Sequence, residues 1–175
     1  MSRRSAGILL YRIREGHLEV LLAHPGGPFF ARADAGSWSI PKGEPTADEV
    51  DMELTARREF EEETGCPVPP GRLLDLGTVI QRGGKTVYAW AAEGDLDPTQ
   101  ATSNTFSFEW PPFSGRMKTF PEIDRVDWFD PERARGRIKP AQEPLLARLE
   151  DALAGRLRGG DAGQGSRGDD SETAQ

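Results

Sequence analysis

The sequence predicts a mixed α/β fold, with a mixed β-sheet held between helices, and three observations carry that prediction. Two pairs of apolar, strand-length runs each close on a short polar or glycine turn. Between the pairs lies ELTARREFEEET, residues 53–64, built mostly of good helix formers with no Gly or Pro inside it. Near the end, Leu145, Leu146, Leu149, Leu153 and Leu157 recur at helical spacings, the apolar stripe of a helix that docks on a sheet.

Taken in order, Ser5–Tyr11 and Leu18–His24 form a hairpin across RIREG, with Gly16 at its tip. Pro25-Gly26-Gly27-Pro28 breaks the second strand, and the loop that follows carries Phe29, Phe30 and Arg32. Its aromatics fit either a lid that stacks on a base or a plug onto the core. Trp38–Gly43 is a short strand running into a loop that must approach a ligand closely, because Gly43 leaves room for backbone contact. The helix Glu53–Thr64 takes its cap from Thr46 or Asp48 and stops at Gly65 and Pro67. Arg72–Gln81 and Lys85–Ala92 make a second hairpin around Gly83-Gly84. Alternation sends Thr86, Tyr88 and Trp90 to one face, either into the core or, with Lys85, along a site. Asp95–Asn104 is loop with room for a helical turn, and Thr105–Trp110 alternates so that Phe106, Phe108 and Trp110 share a side. Pro111–Lys118 is turn, Pro121–Phe129 leads into a last strand, and Pro131–Arg137 and Pro140–Leu157 are helical. From Gly155 to Gln175 the chain turns to Gly, Asp, Ser and Arg, too polar to pack, so a disordered tail is expected behind a domain of residues 1–154.

With 175 residues, 36% of them hydrophobic, one domain with its own core is expected. One cysteine, Cys66, excludes a disulfide framework, and His17 and His24 alone make no zinc site. A formal charge of −7 argues against a general nucleic-acid-binding surface. The apolar run Ala6–Tyr11 is too short to span a membrane, so a soluble cytoplasmic protein is expected, and the sequence leaves its oligomeric state open.

The chemistry concentrates on the predicted helix. At about 100° per residue, Glu59, Glu62 and Glu63 share one edge while Glu61 points away. Three carboxylates on one edge repel each other, which a hard divalent cation would relieve. The alternative is a solvated acidic face partnered by Arg57 and Arg58.

The wider spacing favours the cation. Arg58-Glu59-Phe60-Glu61-Glu62-Glu63-Thr64-Gly65-Cys66, with Gly43 and Glu49 upstream, resembles the box of the Nudix hydrolase family. One departure is that eight residues rather than seven separate Glu49 from Arg58, which reads as a one-residue insertion in the loop before the helix that leaves the metal-binding half intact and leaves the role of Glu49 open. The resemblance implies an α/β/α sandwich and hydrolysis of a phosphoanhydride by water with Mg²⁺ or Mn²⁺. It implies Glu62 and Glu63 as metal ligands, Glu59 as ligand or general base, Arg58 as the residue that orients them, and the Lys42 backbone carbonyl as a further ligand. Glu122, on a loop ahead of Trp128, is implied as an added ligand or base. Candidates for touching substrate are Lys42, Arg32, Lys85, Tyr88 and Trp110. Trp38–Gly43 resembles the entry to the box in enzymes of dinucleoside polyphosphates, oxidised guanine nucleotides or diphosphoinositol polyphosphates. The expected substrates are nucleoside triphosphates, oxidised ones included, or dinucleoside polyphosphates; the alternatives are a diphosphoinositol polyphosphate or a non-catalytic nucleotide sensor.

Overall fold

In the computed structural model, which describes residues 3–159, the first hairpin is longer at both ends than its apolar runs suggest. It consists of β1 (Arg4–Arg14) and β2 (His17–Pro25), paired from Tyr11↔Val20 to Arg14↔His17. Then come β3 (Lys42–Gly43), α1 (Met52–Thr64), β4 (Leu74–Ile80) and β5 (Thr86–Glu93). A second set follows: β6 (Thr105–Glu109), β7 (Met117–Pro121), β8 (Ile123–Phe129), α2 (Pro131–Arg137) and α3 (Glu143–Gly159). The main sheet runs β4-β5-β1-β2-β8 with β3 added to β1, and β1 lies parallel to β5 while its other pairings are antiparallel. That is the mixed sheet expected.

Strand alternation divides the core into two layers. Leu9 and Tyr11 face a cluster completed by Leu145, Leu146, Leu149 and Leu153 of α3 and by Ala134 of α2. Ala6, Ile8 and Leu10 face the other way, onto Met52, Ala56 and Phe60 of α1. Helices therefore cover both faces. Among the described residues no helix is long and apolar enough to cross a membrane.

Two expectations are corrected. The stretch 111–118 is not all turn: Met117–Pro121 forms β7 and pairs with β6 as a separate two-stranded sheet, Phe106 opposite Phe120. Four of its five residues are exposed, so no apolar period marks it. The expected tail also begins too early. Residues 155–159 continue α3, where Leu157 packs on the core and Arg156 bonds both carboxylate oxygens of Glu93, each at 2.9 Å. The rest of the expected tail, 160–175, lies outside the described residues.

The topology places the site through a fork. β5 holds one edge of β1, so β2 and β3 share the other, β2 near Tyr11 and β3 at Ala6 and Gly7. The segment 38–43 fills the gap: Ser39 exchanges backbone hydrogen bonds with Ala23 of β2, and Ile8 of β1 donates to the Pro41 carbonyl. α1 lies over its end.

Candidate active site

α1 begins at Asp51, whose side chain accepts from the Glu53 N–H at 2.9 Å; Thr46 and Asp48 are not the cap. It ends at Gly65, whose φ of 74° suits glycine and whose N–H donates to the Glu61 carbonyl. Met52, Ala56 and Phe60 anchor the helix to the core, which turns the carboxylate edge toward the fork. Glu59 and Glu63 are buried, 9% and 8% exposed, Glu62 is half-buried, and Glu61 is exposed as the helical offsets require.

Arg58 is the hub of this edge. Its Nε and Nη2 donate to the two oxygens of Glu49, at 2.6 and 3.0 Å, while Nη1 donates to both Glu59 and Glu62 at 2.9 Å. Nη2 also reaches the Glu44 carbonyl at 3.0 Å. The extra residue before the helix thus does not part Glu49 from Arg58. The extra residue is absorbed after it, where Val50 stands 87% exposed ahead of the Asp51 cap, and Glu49 keeps its place beneath the helix. The Arg58 guanidinium, with the Thr55 hydroxyl and the Thr46 N–H, holds the Glu49 carboxyl down to about 2.

β3 supplies the opposite wall. The Lys42 N–H donates to Glu63 Oε2 at 2.9 Å, and Gly43 lies so close beneath Glu59 that a Cβ there would run into its carboxylate. Burial, with the nearby charges of Glu59 and Glu122, pushes Glu63 up to about 8, against the pull of Lys42. Burial likewise raises Glu59, in part offset by Arg58. Glu122 is exposed, yet its charge is felt by both, because its backbone is tied to the helix end. Its N–H donates to the Asn104 carbonyl at 2.8 Å, and the Asn104 N–H donates to the Glu62 carbonyl at 2.9 Å. The Glu122 loop therefore folds over the box helix.

Lysines gather on the far side of Glu63. Burial lowers Lys42 to about 8, and the charges of Lys139 and Lys85 add to that. Burial and Lys85 lower Lys139 as well. Lys139 was not among the sequence candidates. It arrives because Ile138 bridges Trp38 and the Lys139 N–H donates to the Trp38 carbonyl at 2.8 Å, a contact across a hundred residues that no local pattern marks. Gln142 then clamps the connection: its Oε1 accepts from the Ile40 N–H at 3.0 Å, and its Nε2 donates to Ser39 Oγ at 2.9 Å.

The structure does not bring every candidate here. Lys85 is near, although its ammonium pairs with Glu44 at 3.0 Å. Arg32 is exposed and forms no hydrogen bond or ion pair among the described residues. Tyr88 is half-buried against the core layer under α1. Trp110 belongs to the β6–β7 hairpin, edge-on to Phe29 at 5.2 Å. Phe29, 68% exposed, stacks on Phe108 at 5.7 Å, so it does not plug the core.

The donor set suits a hard divalent cation: carboxylate oxygens, two of the groups buried, with more negative charge than Arg58 offsets. Among the described residues no three such side chains stand together in ligating geometry; Arg58 bonds an oxygen of Glu59 and of Glu62, and the Lys42 N–H bonds one of Glu63. The pH dependence of stability tests this fit. Glu63 titrates at about 8 in the fold, against an ordinary 4.5, so between those values the folded chain holds a proton the unfolded chain has lost. Stability in chelator should therefore fall as pH rises through that window. Lys42 acts in the opposite sense only above its value of about 8. Melting curves at pH 6 and 8 should show Mg²⁺ raising Tm more at pH 8, where the proton competes less. Equal shifts at both pH values would count against Glu63 as a ligand.

Comparison with known proteins gives the family and the fold. No curated protein matches the chain. Among solved structures, a Caenorhabditis elegans Ap4A hydrolase binary complex is 22% identical, with 87% of this chain and 98% of that one covered and a TM-score of 0.60. The NUDIX domain of Shewanella oneidensis NrtR, complexed with ADP ribose, is 15% identical over 87% and 89%, TM-score 0.59. A mutT/nudix family protein from Listeria innocua is 17% identical over 89% and 96%, TM-score 0.58. At these identities the likeness is one of fold. The family model for the NUDIX domain, however, matches residues 1–149, far beyond the box itself. The chain belongs to the NUDIX domain family.

Proposed function

We propose that this enzyme uses Mg²⁺ or Mn²⁺ to hydrolyse a phosphoanhydride of nucleoside triphosphates, oxidised ones included, or of dinucleoside polyphosphates. The observation that carries the reading is the buried Glu59–Glu63 edge, with every box glutamate present, facing a lysine cluster across the end of β3. Glu59, Glu62 and Glu63 would hold the cation, with Glu122 and the Lys42 carbonyl in reach of the same edge. A divalent ion held there would supply an acidified water and draw charge from the leaving phosphate. The chain's own part is orientation. Arg58 fixes Glu59 and Glu62 through charge-assisted bonds, and it engages only one oxygen of each. That leaves Glu59 Oε2 to accept the proton of an attacking water. Lys42 meets the phosphates as a point charge. The fold likeness to an Ap4A hydrolase supports the dinucleoside substrates.

A panel of nucleoside triphosphates, oxidised nucleotides, dinucleoside polyphosphates, ADP-ribose and diphosphoinositol polyphosphates, assayed with and without Mg²⁺, tests the reading. Turnover confined to the last would replace the nucleotide assignment, and no turnover on any would favour a sensor. Glu122→Ala should lower kcat about a hundredfold. Its Tm should not change, since the exposed Glu122 side chain makes no hydrogen bond among the described residues. A kcat within about threefold of wild type would remove Glu122 from the site.

A further inference from the structure

Behind Glu63 the fork closes on a cavity of about 90 Å³, walled by Pro25, Ile40 and Ile123 and bearing Lys42 and Lys139. That is room for roughly three waters, about the size of one tetrahedral phosphoryl group. Its hydroxyls are already committed, Ser37 donating to the Asp34 carbonyl and Ser39 to the Ile40 carbonyl. The lysines are not. Among the described residues neither ammonium donates a hydrogen bond or forms an ion pair, while Lys85 beside them is taken by Glu44. Two half-buried like charges sharing a small cavity repel and lack their water, an arrangement that a bound dianion relieves. The cavity wall is also tied together, because Gln142 bonds the Ile40 N–H, Ser39 and Gln81 from the α2–α3 connection that carries Lys139. Glu63 belongs to both the carboxylate edge and the cavity wall, so a group in the cavity is the next neighbour of a phosphate at the edge.

We infer that the Lys42–Lys139 cavity is a subsite for one phosphoryl group beyond those met by the carboxylate edge, and that Lys139 is the residue that makes the enzyme prefer chains of three or more phosphates to a diphosphate. This rests on the reading of the edge as a phosphoanhydride site. It assigns Lys139 to specificity, not to the reacting atoms.

Methylene-bridged inorganic triphosphate and diphosphate, which carry no base and cannot be cut, are the probes. Titrated calorimetrically into the full chain at saturating Mg²⁺, the triphosphate analogue should bind at least about tenfold more tightly than the diphosphate. Lys139→Met should erase that difference while leaving the diphosphate Kd within about twofold and the Tm without ligand equal to or above that of wild type, and Lys139→Arg should retain most of the difference. On a triphosphate substrate, Lys139→Met should raise KM about tenfold with kcat within about threefold. Equal binding of the two analogues by wild type, or equal weakening of both by Lys139→Met, would overturn the subsite. Absence of turnover with the binding preference intact would overturn the hydrolase reading instead and leave the subsite standing.

Discussion

Glu63→Gln leaves the chain folded and lowers kcat on the order of 10³-fold. The amide has nearly the shape of the carboxylate, and its Oε1 still accepts the Lys42 N–H that now bonds Glu63 at 2.9 Å, so β3 and α1 stay in register. What disappears is the charge. A buried group pushed up to about 8 is one the fold would rather keep neutral, and Glu59 and Glu122 both add to that pressure. Neutralising it should leave Tm in chelator at pH 8 equal to or above that of wild type. Catalysis moves the other way, because a neutral amide is a poor ligand for a hard cation. The rise of Tm on adding Mg²⁺ should shrink with it, since stabilisation by a ligand follows its affinity for the folded state. Both are read on one preparation, by differential scanning calorimetry and by phosphate release. A variant that keeps most of its turnover at an unchanged Mg²⁺ requirement would sink the assignment.

What could be seen from sequence follows from how local each feature is. Glu59, Glu62 and Glu63 share an edge because helical geometry alone puts them there, and the core residues Met52, Ala56 and Phe60 on the neighbouring face turn that edge inward. The leucines of α3 were legible for the same reason. Glu49 was not. Whether an extra residue shifts it depends on the path of the backbone at Val50, and only the structure shows that residue pushed outward. Lys139 was hidden more completely, since Trp38 and Ile138 pair across the whole domain to deliver it. Alternation assigned Tyr88 a face correctly but could not say that this face is covered by α1. In β7 the partner strand decides the structure: MKTFP has one partly buried aromatic, and Phe106 opposite it, not its own pattern, makes it a strand.

Arg58→Met should cost about 10² to 10³ in kcat, and Glu49→Ala should fail in a different manner. Arg58 makes three carboxylate bridges from a position only 28% exposed, so removing it leaves Glu49, Glu59 and Glu62 without their shared cation. After discounting for solvent screening, the lost charge-assisted bonds amount to about 1 to 3 kcal/mol of stability. Added Mg²⁺ should return part of it, because a second cation then stands among the same groups. Lysine should not substitute, since one ammonium cannot reproduce the two-oxygen grip on Glu49. Glu49→Ala leaves Arg58 in place but frees its Nε and leaves Nη2 only the Glu44 carbonyl, and the loosened guanidinium is drawn toward Glu59 and Glu62. There it competes with the divalent ion. The expected result is an apparent Mg²⁺ constant raised about tenfold, with kcat at saturating Mg²⁺ within about threefold of wild type. In the double variant the effect of Glu49→Ala should vanish, because its action runs through Arg58. If the two losses multiply instead, Glu49 acts on the site independently, and its bonds to Arg58 serve only to hold the loop before α1.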